Sequence, residues 1–110
     1  MVPAIWRTRV CFILDSGDRS KIRIRQRALN DWSALFPQLF TCDLLSALSD
    51  ALKDPDLIGN EVPFMQEPGE TYEFIFTHDR RRVYAKLNLS PDGDLVIIYS
   101  AHRPLKGETL

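Results

Sequence analysis

Tyr72-Glu73-Phe74-Ile75-Phe76-Thr77, Arg82-Val83-Tyr84-Ala85-Lys86-Leu87-Asn88-Leu89 and Leu95-Val96-Ile97-Ile98-Tyr99-Ser100-Ala101 are three β-rich runs divided by short polar stretches. The first divider, His78-Asp79-Arg80-Arg81, reads as a turn. The second, Ser90-Pro91-Asp92-Gly93, carries turn chemistry with a mechanism: proline presets φ, and glycine two residues later supplies a positive φ at no steric cost. Strands joined by so few residues pair antiparallel. The last third of the chain is therefore expected to form a three-stranded antiparallel meander.

Upstream of the meander, residues 58–69 contain Gly59, Pro63, Pro68 and Gly69 and read as a loop, with Val62, Phe64 and Met65 expected to tuck onto the core. Before it lies a helical pattern. Thr41 or Asp43 can cap it, Leu44, Leu45, Ala47, Leu48, Ala51 and Leu52 form its apolar side, and it must stop before Pro55. A shorter helical segment, Trp32 to Phe40, is limited by Pro37. At the N-terminus, Thr8 to Leu14 is rich in β-formers, Asp15-Ser16-Gly17-Asp18 is a turn signal, and Lys21 to Arg27 alternates cations with Ile22 and Ile24. A helix starting near Ser20 also fits, because Ile22, Leu29, Trp32 and Phe36 suit a helical stripe. The strand reading, giving way to a helix near Ala28, is preferred. The expected fold is α+β, a single domain over residues 1–110: an N-terminal β-hairpin, two helices, then the meander, with the helices packed on one sheet face.

With 110 residues, 45% hydrophobic and 26% charged, the chain has globular composition and room for one core. No run approaches the roughly 18 apolar residues of a membrane span. No apolar h-region follows Trp6, Arg7 and Arg9, so a cytoplasmic address without membrane contact is expected. Cys11 and Cys42 sit in apolar runs and, with His78 and His102, lack zinc-ligand spacing, so no metal is expected. The five glycines form no phosphate-binding motif and no cofactor is implied. The net charge of −1 conceals segregation. Residues 1–30 hold seven basic and two acidic side chains, residues 31–73 hold nine acids against Lys53, and residues 74–110 hold six basic and four acidic ones. Such blocks make a positive and a negative surface, or attract each other within the fold.

If Leu89 pairs with Leu95, Tyr84 falls opposite Ser100 and Arg82 opposite His102, so that Arg82, Tyr84, Lys86, Ser100 and His102 share the polar face of the meander. A bulge at the Pro91–Gly93 turn would shift this pairing by one and break the cluster. The cluster suits RNA cleavage by the 2′-hydroxyl. His102 can take or give a proton near neutral pH. Arg82, Lys86, Arg103 and Lys106 can hold the phosphate, and Tyr84 can stack on a base or donate a proton. Arg23 and Arg25, on a cationic face with Lys21 and Arg27, could grip a nucleic-acid backbone, or simply protect an edge strand. His78, in its turn, reads as a surface residue.

Tyr72 to Lys106, with Val83-Tyr84-Ala85-Lys86 in one strand and Tyr99-Ser100-Ala101-His102-Arg103 closing the sheet, resembles the C-terminal meander of the barnase, EndoU, colicin and RelE-type nuclease superfamily. Residues 48–56, just ahead of the sheet, are similar to its phage- and toxin-associated branch. The resemblance implies helices followed by an antiparallel sheet and a metal-independent, toxin-like RNA-cleaving activity. Of the residues, it implies roles for His102, Arg103, Lys86 and Tyr84. The implied partners are RNA and a neutralising protein. The N-terminal hairpin lies outside that common layout. The competing expectation is a noncatalytic module that binds protein or nucleic acid, such as a neutralising partner or an assembly subunit. The acidic middle of the chain favours a protein partner within that class.

Overall fold

In a computed structural model, which describes residues 1–105, the three β-rich runs become β3 (Glu70–His78), β4 (Arg81–Leu89) and β5 (Val96–His102). They pair antiparallel, as expected. The β3–β4 connection has two residues, Asp79 and Arg80, with φ of 49° and 66°. Positive φ at both is the type I′ solution, whose twist matches that of paired strands. At the β4–β5 turn Ser90 Oγ donates to Asp92 Oδ1 (2.6 Å) and accepts from the backbone N–H of Asp94 (3.2 Å) and Leu95 (2.9 Å).

The N-terminal hairpin does not form. Residues read as its first strand belong to a helix, α1 (Ala4–Ser16). Trp6, Val10, Ile13 and Leu14 recur every three or four residues and are all buried. A strand would send neighbours to opposite faces, whereas a helix gathers these on one side. Gly17, in the left-handed region at φ 65°, ends α1 by donating its N–H to the Leu14 carbonyl.

The run expected as the second strand is divided. Ile22–Ile24 is β1, and Gln26–Leu35 is α2, which ends ahead of Pro37. The β1 strand pairs with β5 in parallel, Ile22 beside Val96 and Ile24 beside Ile98. The third helix, α3 (Thr41–Lys53), runs as expected and starts when Asp43 Oδ2 accepts the Phe40 N–H at 2.7 Å. A three-residue strand, β2 (Gly59–Glu61), arises inside the expected loop and pairs with Tyr72–Phe74 of β3. The result is a mixed five-stranded sheet in the order β1-β5-β4-β3-β2 with three helices.

Side chains alternate across the sheet. Tyr72, Phe74 and Phe76 of β3, Val83, Ala85 and Leu87 of β4, and Val96, Ile98 and Ala101 of β5 join the buried faces of all three helices in one core. Leu44, Leu48, Phe74, Leu87 and Trp32 are each under 2% exposed, and burying one such side chain contributes about 1.5–3 kcal/mol. Arg7 fastens α1 to α3: its Nε donates to the Leu52 carbonyl (2.8 Å) and a second guanidinium nitrogen to that of Asp54, satisfying open carbonyls at the end of α3. Among the described residues, no helix is long and apolar enough to cross a membrane.

Candidate functional site

The face of the sheet turned away from the helices carries the alternate residues: Glu73 and Ile75 of β3, Arg82, Tyr84, Lys86 and Asn88 of β4, and Ser100 and His102 of β5. The register differs from expectation twice. At the turn Leu89 pairs with Val96 rather than Leu95, which alone would turn β5 over. A bulge at Tyr99 then adds a second residue, so that Lys86 faces Ser100 and Tyr84 faces His102. Two shifts of one restore the parity. Tyr84, Lys86, Ser100 and His102 therefore share a face, through different partners from those expected.

Tyr84 is at the centre of this patch and is only 6% exposed. Its hydroxyl donates to Glu73 Oε1 at 2.6 Å, and His102 stacks on its ring with centroids 5.0 Å apart and planes 23° apart. Of the two uses expected for it, stacking on a base or donating a proton, its ring faces His102 and its hydroxyl donates to Glu73. Its ring and hydroxyl join a carboxylate on β3 to an imidazole on β5. Those two strands are separated by β4, and so lie about 10 Å apart at the backbone. His102 Nδ1 lies 2.8 Å from the Arg103 carbonyl oxygen. A proton on Nδ1 donated to that carbonyl leaves Nε2 as the basic nitrogen of the neutral ring.

Lys86 stands across from both Glu73 and Ser100. Its Nζ lies 6.0 Å from the centroid of the Tyr99 ring, which also receives the Arg25 guanidinium at 5.4 Å. Burial, and then the Glu67 carboxylate, push the Tyr99 phenol above its ordinary value, so it stays protonated at neutral pH. Arg82 and Arg103 are exposed. Lys106, expected as a phosphate ligand, lies outside the described residues.

The cationic face expected over residues 21–27 is dispersed, because the strand ends at Ile24 and a helix follows. Lys21 pairs with Asp94 (3.2 Å), Arg25 with Glu67 (2.7 Å) and Arg27 with Asp31 (3.8 Å). Arg23 is exposed, and no ion pair engages it among the described residues. The basic N-terminal block and the acidic middle thus meet in part within the fold. Glu67 comes from the stretch 62–69, which crosses the same sheet face: the Pro68 carbonyl accepts from Asn88 Nδ2 at 3.3 Å. Of the loop residues expected in the core, Val62 and Met65 are half-buried, but Phe64 is fully exposed. His78 is not a surface turn residue. It ends β3 against the rings of Phe36 and Trp32, with centroids 5.4 and 5.7 Å away.

Glu73 is the residue that sequence reasoning missed. Its signal was present, since it alternates with buried Tyr72 and Phe74 and so had to lie on the polar face. It was counted only as one of the acids of the middle segment. Cys11 is buried and Cys42 exposed, both as free thiols. Among the described residues, no group of three or more His, Cys, Asp or Glu side chains is placed to hold a metal ion. Comparison with protein-family models, with curated proteins and with solved structures gives no match for this chain.

Proposed function

We propose that this sheet face cleaves RNA without a metal ion. The observation that carries the reading is the continuous set Glu73–Tyr84–His102: a carboxylate and an imidazole held on one aromatic side chain, with Lys86 and Ser100 beside them. The Glu73 carboxylate removes the proton of a ribose 2′-hydroxyl. That oxygen attacks the neighbouring phosphorus, and the bond to the 5′-oxygen breaks as protonated His102 gives that oxygen its proton. The products are a 2′,3′-cyclic phosphate and a 5′-hydroxyl, with protons and charges balanced. Lys86, Arg82 and Arg103 offset the charge that develops on the phosphate, and Tyr84 is a positioning residue.

The test uses labelled RNA and the intact protein in EDTA. The parent should cleave, while His102→Ala and Glu73→Gln should each lose about 10²–10⁴-fold in rate with the fold intact, the usual scale for one acid or base. Absence of cleavage by the parent would turn the reading toward a noncatalytic module. Exposed Ile5 and Phe12 on the outer side of α1 favour that second reading, with a protein as the partner. Within the nuclease reading, that partner would be a neutralising protein.

A further inference from the structure

Four side chains meet on the outer face of the sheet, one step along from Tyr84 and His102. Arg25 follows β1, and its guanidinium lies 5.4 Å from the centroid of the Tyr99 ring on β5. Lys86 of β4 brings its Nζ to 6.0 Å from the same centroid. Two cations thus approach one ring, whose face attracts both. Among the described residues, no carboxylate forms an ion pair with Lys86. The fourth side chain is Glu67, whose Oε1 accepts from Arg25 Nη2 at 2.7 Å.

Glu67 arrives here on the stretch 62–69, which is held to the face at few points. The Val62 N–H donates to the Thr71 carbonyl at 2.8 Å, and the Pro68 carbonyl accepts from Asn88 Nδ2 at 3.3 Å. The Arg25–Glu67 pair is itself partly open to solvent, its side chains 42% and 31% exposed. Ion pairs so exposed are weak. A phosphodiester, like a carboxylate, spreads one negative charge over two oxygens, and a guanidinium takes either in the same forked geometry. Lys86 and Tyr84 are two residues apart on one strand, hence on one face and about 7 Å apart. That is comparable with the step between successive phosphates of an extended single strand. A strand whose reacting phosphate lies over Tyr84 and His102 therefore carries the next phosphate past Lys86 toward Arg25, where Glu67 stands.

We propose that Arg25, backed by Tyr99 and Lys86, is a second phosphate subsite, which Glu67 fills until single-stranded RNA displaces it. The place of this subsite beside a reacting phosphate rests on the RNA-cleaving reading. The substrate it selects is a single strand with a second phosphodiester next to the one that is cut. Glu67 is an internal competitor, so its removal strengthens binding. A residue that served only to fasten the stretch 62–69 would have the opposite effect.

Fluorescence anisotropy of a labelled RNA trinucleotide, 2′-O-methylated on every ribose so that it cannot be cleaved, tests the subsite on the whole chain. The parent should bind, and less tightly as salt is raised. Glu67→Gln, with unchanged circular dichroism, should bind roughly two- to fivefold tighter, the scale set by loss of an exposed ion pair. Asp31→Asn removes the same charge from beside Arg27 and should change nothing. Arg25→Gln should weaken binding, and combining it with Glu67→Gln should cancel the gain. Absence of binding by parent and Glu67→Gln alike, a weaker complex with Glu67→Gln, or a gain that survives the loss of Arg25 overturns the proposal. Cleavage of unmethylated RNA in EDTA separates the two claims. Cleavage without a Glu67 effect on binding removes the subsite alone, whereas Glu67-dependent binding without cleavage keeps the subsite and removes the nuclease reading.

Discussion

Replacing Tyr84 by Phe removes one oxygen atom and keeps the ring on which His102 stacks. The lost bond, 2.6 Å from the Tyr84 hydroxyl to Glu73 Oε1, is part-buried and accepted by a carboxylate. Bonds to charged groups contribute about 1.5–3 kcal/mol. Partial exposure of Glu73 lets water replace some of the bond, which puts the loss at the lower end, about 1.5 kcal/mol. At an unfolding entropy of about 2 cal/mol/K per residue, a chain of this length should melt about 6 °C lower. Urea unfolding followed by far-ultraviolet dichroism measures the loss, and the slope with denaturant should not change. On RNA, Tyr84→Phe should lower cleavage less than Glu73→Gln does, because the carboxylate remains but is no longer held. A stability within about 0.5 kcal/mol of the parent would refute the claim that this hydroxyl anchors Glu73, since that is the scatter of ordinary surface substitutions.

Gly69 has φ 116°, and a Cβ there would stand 2.2 Å from the Leu89 carbonyl oxygen, so Gly69→Ala should cost about 2 kcal/mol or more by the same unfolding measurement. Arg80 adopts φ 66°, a region that penalises a Cβ, so Arg80→Gly should stabilise dilute protein by about 1 kcal/mol on thermal melting. The Ser49 hydroxyl and then the Lys53 ammonium hold the Asp15 carboxyl below its ordinary value of 3.8. A depressed carboxylate stabilises the fold above the unfolded value and ceases to do so as pH falls through the folded one. Acid titration of Ser49→Ala should therefore show a shallower loss of stability below about pH 4 than the parent shows.

The parts of the fold legible in the sequence were those whose local and global signals agree. For β3 and β4, strict alternation is bounded by turn residues. For α3, an apolar stripe ends at a proline. The α1 helix was misread because Ile5 and Phe12, exposed on its outer side, fill in the pattern and hide the stripe of Trp6, Val10, Ile13 and Leu14. The β-branched and aromatic composition of Thr8–Leu14 then favoured a strand, and burial against α3 and the sheet overrode that preference. At the site, strand parity told which residues share a face, but the partners of each depend on where the extra residue of the bulge falls. Nothing local to Tyr99 announces that it is the one left unpaired. Glu73 was assigned to a charge block when its strand period already set it beside Tyr84 and Lys86.

The placement of β1 beside β5 bears on how the molecule is made. The parallel partner of Ile22–Ile24 is Val96–Ile98, Arg9 Nε donates to the Gly93 carbonyl at 2.5 Å, and Trp6 Nε1 reaches the Glu70 carbonyl at 3.0 Å. Trp6, Arg9 and Ile22–Ile24 thus find partners on segments that are synthesised well after them. A chain emerging N-terminus first cannot complete this core until Val96–His102 has cleared the exit tunnel. Closing loops of that length costs entropy before any contact repays it, so the rate of folding should be set by contacts distant in sequence. Until then α1 can pack on α3, but the sides of α1 and β1 that meet the sheet stay open to solvent and to other nascent chains, an interval of exposure to aggregation.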